Sequence, residues 1–323
     1  GLIKKNQHNR VQFYNCSILP NAEMADAKVV SWAAKQLAKR HEQPLFLSVG
    51  IYRPHVPWYA PQKYFDRFPL DEIQLPEHLA DDLDDLPPAG QAMAKRQWHK
   101  WITENGQWKK AVQGYLASLS FADDMVGELL DALDNGPMAN DTLIVFWGDH
   151  GYHLGEKENW EKFALWDQTT RVPLFIHAPG LSKDGTKTRQ PATLTDIYPT
   201  LCELAELPVP KQCSGTSLVP QLKEPSTPKK QLALTSFQFW SEKTPSLAVA
   251  DPRYRFIRYG NGFEELYDLK NDPHEFTNLA DDPRLAKVKA RLARALPAKV
   301  EPMRKIPTDS PYHRGRKRGK PTN

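Results

Sequence analysis

A chain of 323 residues with 40% hydrophobic and 10% aromatic content can bury one large α/β domain and a smaller appendage, which excludes disorder as its default state. The formal charge of +4 is mild, and part of it sits in one run, Arg314-Gly315-Arg316-Lys317-Arg318-Gly319-Lys320. That run has no interleaved aromatics to stack on bases, and no apolar run reaches the roughly 18 residues of a membrane span, so neither a nucleic-acid nor a membrane partner is expected.

The chain opens on Gly1 and a polar stretch, Lys4-Lys5-Asn6-Gln7-His8-Asn9-Arg10, which reads as the continuation of a longer protein with any targeting signal upstream. From Ala22 to Lys39, the residues Ala25, Val29, Val30, Ala33 and Leu37 recur at helical spacing. Leu45-Phe46-Leu47-Ser48-Val49 then predicts an interior strand ending at Gly50. A second helix carries Leu116, Leu119, Met125, Val126, Leu129, Leu130 and Leu133 on one face and stops at Asn135-Gly136-Pro137. Thr142–Trp147 follows as a continuous apolar strand, Val172–His177 as another, and Asp196–Leu207 as a helix. Helices alternating with strands apolar on both faces predict an α/β fold, a mostly parallel sheet sandwiched by helices, with ligands at the carboxyl ends of the strands.

Past Pro220 the pattern changes. Residues 221–230 read as a linker, and short strands near Leu232–Phe239, Ser246–Ala250, Tyr254–Tyr259 and Glu264–Leu269 predict a small antiparallel sheet, followed by a helix from Pro283 to Leu296. The expected division is residues 1–220 for the α/β part and 221–323 for a small α+β subdomain with a basic tail. Cys16, Cys202 and Cys213 form neither a zinc pattern nor a full disulfide framework. The last two fit either a disulfide or two buried thiols.

Three groups of residues could do chemistry. Gly148-Asp149-His150-Gly151 puts a carboxylate and an imidazole directly after the Thr142–Trp147 strand, between glycines that let the backbone turn tightly. A carboxylate on a rigid strand end suits a hard cation such as Ca2+ or Mg2+; alternatively Asp149 only caps the turn. Lys162, within a dozen residues, could offset charge on an anionic ester, or be a solvated surface lysine. Beyond the other strand end, Tyr52-Arg53-Pro54-His55-Val56-Pro57 holds Arg53 and His55 between prolines, as substrate contacts or as structural groups. The residues themselves do not separate sulfate from phosphate chemistry.

Longer runs resemble a known family. Leu143-Ile144-Val145-Phe146-Trp147-Gly148-Asp149-His150-Gly151-Tyr152-His153-Leu154-Gly155-Glu156 is similar to the strand-plus-metal segment of sulfatases. Tyr115–Asp124, Val172-Pro173-Leu174, Leu194–Leu201 and Glu265–Pro273 continue the likeness in family order from about residue 24 to 282. The Arg53–Pro57 loop and the Asp-His pair most resemble the iduronate-2-sulfatase branch. The resemblance implies the alkaline-phosphatase-like sulfatase fold, a Ca2+ partly bound by Asp149 and His150, a sulfate-binding Lys162 and a substrate-facing His55. It also implies a formylglycine nucleophile made from a Cys/Ser-x-Pro-x-Arg motif. No such motif occurs in these 323 residues, so the nucleophile and the N-terminal aspartate pair are expected in a preceding segment of the same protein.

The function expected is hydrolysis of sulfate esters on an acidic carbohydrate by an exported protein (periplasmic, extracellular or lysosomal), with no turnover by this chain alone. The alternatives are a phosphoric or phosphonic ester hydrolase of the same superfamily, or a non-catalytic remnant that binds a sugar or a partner.

Overall fold

The computed structural model describes residues 20–94, 96–182, 185–238 and 244–300. The basic run Arg314–Lys320 and Cys16 lie outside them. The helix expected after Ala22 forms as α1 (Ala25–Leu37), followed by three short helices: α2 (Gln62–Phe65), α3 (Pro88–Met93) and α4 (Arg96–Glu104). The 27-residue α5 (Trp108–Asp134) comes next. Met24, Ala27 and Val30 pack with Ala117, Phe121 and Met125 of α5 and Tyr64 of α2, closing a core that tethers the 51–60 segment. Gly114 lets α5 approach the Trp58 ring, which a Cβ there would meet at 3.2 Å.

The middle of the chain supplies β1 (Ile144–Trp147), the two-residue strands β2 (His153–Leu154) and β3 (Trp160–Glu161), α6 (Asp167–Thr170) and β4 (Leu174–His177). β1 and β4 pair with each other, as both apolar runs predict, but antiparallel, with Phe146 opposite Phe175. The parallel direction expected for this sheet is therefore not the one these strands take, and every pairing among the described residues is antiparallel. Residues 45–50 carry no strand assignment, and Phe46 is 81% and Phe175 65% exposed. A strand needs a hydrogen-bonded neighbour on each side to become interior, and the two-stranded β1–β4 pair leaves both members as edges.

The helix expected from Asp196 is α7 (Ile197–Leu204), and α8 (Val219–Lys223) runs into the stretch read as a linker. Cys202 and Cys213 are free thiols. The C-terminal sheet orders β5 (Ala233–Phe237), β6 (Ser246–Ala250), β7 (Tyr254–Arg258) and β8 (Glu264–Asp268) as an antiparallel meander. Period-2 alternation splits its side chains between two cores. Leu247, Val249, Phe256 and Leu266 face α9 (Ala286–Ala295) through Leu292, while Ala248, Ile257 and Tyr267 face Leu83, Met93 and Trp166. That second face joins the sheet to the segment that follows β3.

Candidate active site

Three segments build the site. The first is the loop 52–59, which leaves the extended 45–51 run. Asp26, 5% exposed in the first turn of α1, accepts the backbone N–H of Tyr52 and of Arg53, each at 3.0 Å. The Arg53 guanidinium then donates back to the loop, through Nε to the Tyr59 carbonyl at 2.9 Å and through a terminal nitrogen to the His55 carbonyl at 3.2 Å. Its Cζ lies over the Tyr52 ring, 5.1 Å from the centroid. Arg53 thus braces the loop with part of its donor fork, and the rest stays available for an anion.

His55 is oriented by the same loop. Its Nδ1 lies 2.6 Å from the Val56 carbonyl and 2.9 Å from the Tyr52 hydroxyl. A carbonyl only accepts, so the ring proton is assigned to Nδ1, and Nε2 presents its lone pair. Nε2 faces the Lys162 ammonium at 3.4 Å, a contact spanning 107 positions of sequence. His55 and Lys162, separate candidates in the sequence, are neighbours in the fold.

The second segment follows β1. Gly148 extends the ladder by donating to the Pro173 carbonyl at 3.1 Å, and Gly151 donates to the Thr169 carbonyl at 2.7 Å. A Cβ at Gly151 would lie 2.0 Å from the Gln168 carbonyl oxygen, so only glycine passes there. Between them, Asp149 Oδ2 stands 3.5 Å from His150 Nε2, while His150 Nδ1 is held by the Gly151 carbonyl at 2.8 Å. The Asp149 side chain is 84% exposed. This pair offers one carboxylate and one imidazole nitrogen, against the about six to eight ligands, mostly oxygen, that Ca2+ takes. Among the described residues no group of three or more His, Cys, Asp or Glu side chains could hold a metal ion. The donor types fit part of a cation site, and these residues alone do not complete one.

The third segment is the β2–β3 hairpin, which links the other two. His153 pairs with Glu161 and Leu154 with Trp160. Residues 150–152 therefore leave the same end of the hairpin from which Lys162 emerges. Gly155 turns the chain at φ +121°, against the Trp108 ring, which donates its indole N–H to the Leu154 carbonyl at 2.7 Å. Tyr152, on the site side, packs 5.8 Å from Trp58 and 5.5 Å from Tyr115. Burial pushes the phenols of Tyr152 and Tyr115 up, so both stay protonated and neither is a base here. Among the described residues, no hydrogen bond or ion pair joins Asp149 or His150 to His55 or Lys162. Their relation is through the hairpin.

Sequence reasoning missed Asp26, Tyr52 and the hairpin. An aspartate in a first helical turn reads as a dipole partner, and two-residue strands carry no period to detect.

Residues 2–207 match the family model described as Sulfatase, and residues 155–301 match the one described as N-sulphoglucosamine sulphohydrolase, C-terminal. A sulfatase of Formosa agariphila is 42% identical over 262 residues, covering 80% of this chain and 50% of its own length. The iduronate 2-sulfatase of Homo sapiens is 31% identical over 234 residues, covering 60% and 42%. The chain thus spans about half the length of the curated relatives it matches. Among solved structures, BT4656 in complex with its substrate D-glucosamine-2-N,6-O-disulfate superposes with TM-score 0.70 at 19% identity, over 84% of this chain and 68% of that one. The phosphonate monoester hydrolase of Silicibacter pomeroyi superposes with TM-score 0.73 at 22% identity, over 85% and 60%. At these identities the likeness is one of fold, the alkaline-phosphatase-like arrangement expected above, with the small antiparallel sheet at its C-terminal end.

Proposed function

This chain belongs to the sulfatase family, and on that premise we propose that the protein containing it hydrolyses sulfate esters of an acidic carbohydrate. The observation that carries this reading is the His55–Lys162 contact at 3.4 Å, made beside the hairpin end from which Asp149 and His150 depart. An ammonium there can donate to a sulfuryl oxygen and offset charge building on the departing alcohol oxygen. The unused donors of Arg53 add a second cationic contact. His55, with Nδ1 tied to the Val56 carbonyl, keeps the Nε2 lone pair directed at Lys162, where it accepts from the ammonium and orients its other donors toward the ester. Asp149 and His150 would contribute two ligands of a Ca2+, whose charge polarises the ester when bound.

In this reading the remaining Ca2+ ligands and the formylglycine come from another segment of the same protein, and the 323-residue chain alone turns nothing over. Two ligands do not hold Ca2+, and no covalent nucleophile stands among the site residues described. The Arg53–Pro57 loop and the likeness to iduronate 2-sulfatase support a 2-sulfated uronic acid as the substrate class. Export to an extracytoplasmic space follows the family's habit.

In the complete protein, Asp149→Asn and Lys162→Ala are each expected to lower kcat/KM on a sulfate monoester by about 100-fold or more. Near-wild-type rates in both would refute this site. A second reading, phosphonate or phosphate ester hydrolysis, is favoured by the superposition on the Silicibacter pomeroyi enzyme. Comparing kcat/KM for the same alcohol carried as sulfate, phosphate and phosphonate monoester decides between them.

A further inference from the structure

Lys162 sits in a loop whose two flanks end on a single residue of the C-terminal segment. Five positions before it, Lys157 is 2% exposed and its ammonium donates to Asp82 Oδ1 at 2.9 Å and to the backbone carbonyl of Glu275. Five positions after it, the backbone N–H of Asp167 donates to Glu275 Oε2 at 2.8 Å. Glu275 is itself 2% exposed, in the left-handed region at φ +60°, just past β8. Arg255 of β7 seals the arrangement, with an ion pair to Glu275 at 3.0 Å and a hydrogen bond to Asp167 Oδ1 at 2.6 Å. The neighbouring Trp166 indole donates to Glu265 Oε2 at 2.9 Å.

The backbone between these anchors is unusual. Lys157, Glu158 and Glu161 all have positive φ, at 51°, 47° and 68°. Each such conformation is unfavourable in a residue with a side chain and persists only where surrounding contacts over-determine it. The buried contacts at both ends supply that determination. They come from Glu275, from Arg255 and Glu265 of the C-terminal sheet and from Asp82, and not from the 52–59 loop that carries His55.

We propose that Glu275 is a positioning residue for Lys162: its carbonyl and its carboxylate grip the two flanks of the loop and so set where the Lys162 ammonium stands relative to His55. Glu275 touches no substrate. It acts through the loop, and in this way the C-terminal sheet controls the ester-binding group. The inference rests on the assignment of Lys162 to the ester site given above.

A double-mutant cycle in the complete protein tests it, reading kcat and KM on a sulfate monoester. Glu275→Ala is made in the parent and in Lys162→Ala, at a temperature where circular dichroism shows every variant folded. Leu292→Ala, in the core on the far face of the sheet, controls for general destabilisation. Turnover is expected to fall about 10-fold or more for Glu275→Ala in the parent, under 2-fold in the Lys162→Ala background, and under 2-fold for Leu292→Ala. Glu275→Gln, which keeps an acceptor for the Asp167 amide but loses the charge facing Arg255, is expected to leave a loss of only about 3-fold. Equal losses in both backgrounds, or none in the parent, overturn the proposal while leaving the Lys162 assignment standing. If Lys162→Ala itself keeps full rate, the ester-site assignment fails, and the positioning role falls with it. Should Glu275→Ala not fold, the same cycle with Glu275→Gln decides, with a loss of about 3-fold in the parent and none in Lys162→Ala being required.

Discussion

Removing one carboxylate, Asp26→Ala, is expected to loosen the loop that carries Arg53 and His55. Asp26 accepts two backbone N–H groups at 3.0 Å, one on each oxygen, and is 5% exposed. Hydrogen bonds to a charged partner contribute about 1.5–3 kcal/mol each. Tyr52 is 54% exposed, so water can rehydrate part of what is lost, which places the pair near the lower end. The acidic group in the first turn of α1 adds about 0.3–1 kcal/mol against the helix dipole. The sum is about 3–4 kcal/mol. Urea unfolding measures it, and amide hydrogen exchange at Tyr52 and Arg53 should accelerate over the rest of the chain. Asp26→Asn keeps one acceptor and is expected to lose about half as much. A loss under about 1 kcal/mol for Asp26→Ala, with unchanged exchange at those two amides, would refute the idea that this carboxylate holds the loop.

Gly155→Ala places a Cβ 2.4 Å from the Trp108 ring at a φ of +121°. Strain and overpacking together predict about 3 kcal/mol or more of destabilisation, and an unchanged thermal midpoint would contradict it. The buried cluster of Asp82, Lys157, Asp167, Arg255, Glu265 and Glu275 predicts a pH dependence. Burial, only partly offset by Arg255, pushes Glu275 up to about 7 from 4.5, and burial, only partly offset by Lys157, pushes Asp82 up to about 6 from 3.8. A raised folded-state value means that the folded form holds protons which the unfolded form has released, so this contribution is full below about pH 4 and is lost as the pH rises through about 6 to 7. Glu275→Gln should flatten the fall of the thermal midpoint over that range, and an identical pH profile would count against it. The exposed Phe46, Trp147 and Phe175 predict concentration-dependent self-association of the isolated chain in sedimentation velocity. A single monomeric boundary at every concentration would disprove this.

Local patterns were legible in the sequence. α1 and α5 follow from an apolar period of 3.6 that each carries within itself, and the four strands of the C-terminal meander from short runs set closely between turn signals. Asp149 and His150 were visible because a strand end flanked by glycines is also a local signal. The strand character of β1 and β4 was equally legible. Their antiparallel pairing was not, because direction and neighbours are decided by which chain lies alongside.

The same distinction separates the site residues. Composition and spacing made Arg53, His55, Asp149, His150 and Lys162 candidates one by one. Only the tertiary structure brought His55 to Lys162, gave Asp26 the loop to hold, and turned Lys157 inward to a carbonyl on the far side of the chain. A lysine between two glutamates reads as solvated in any sequence. It can be buried only where an acidic partner and a carbonyl replace its water, and those groups lie 75 and 118 positions away, beyond the reach of any local pattern.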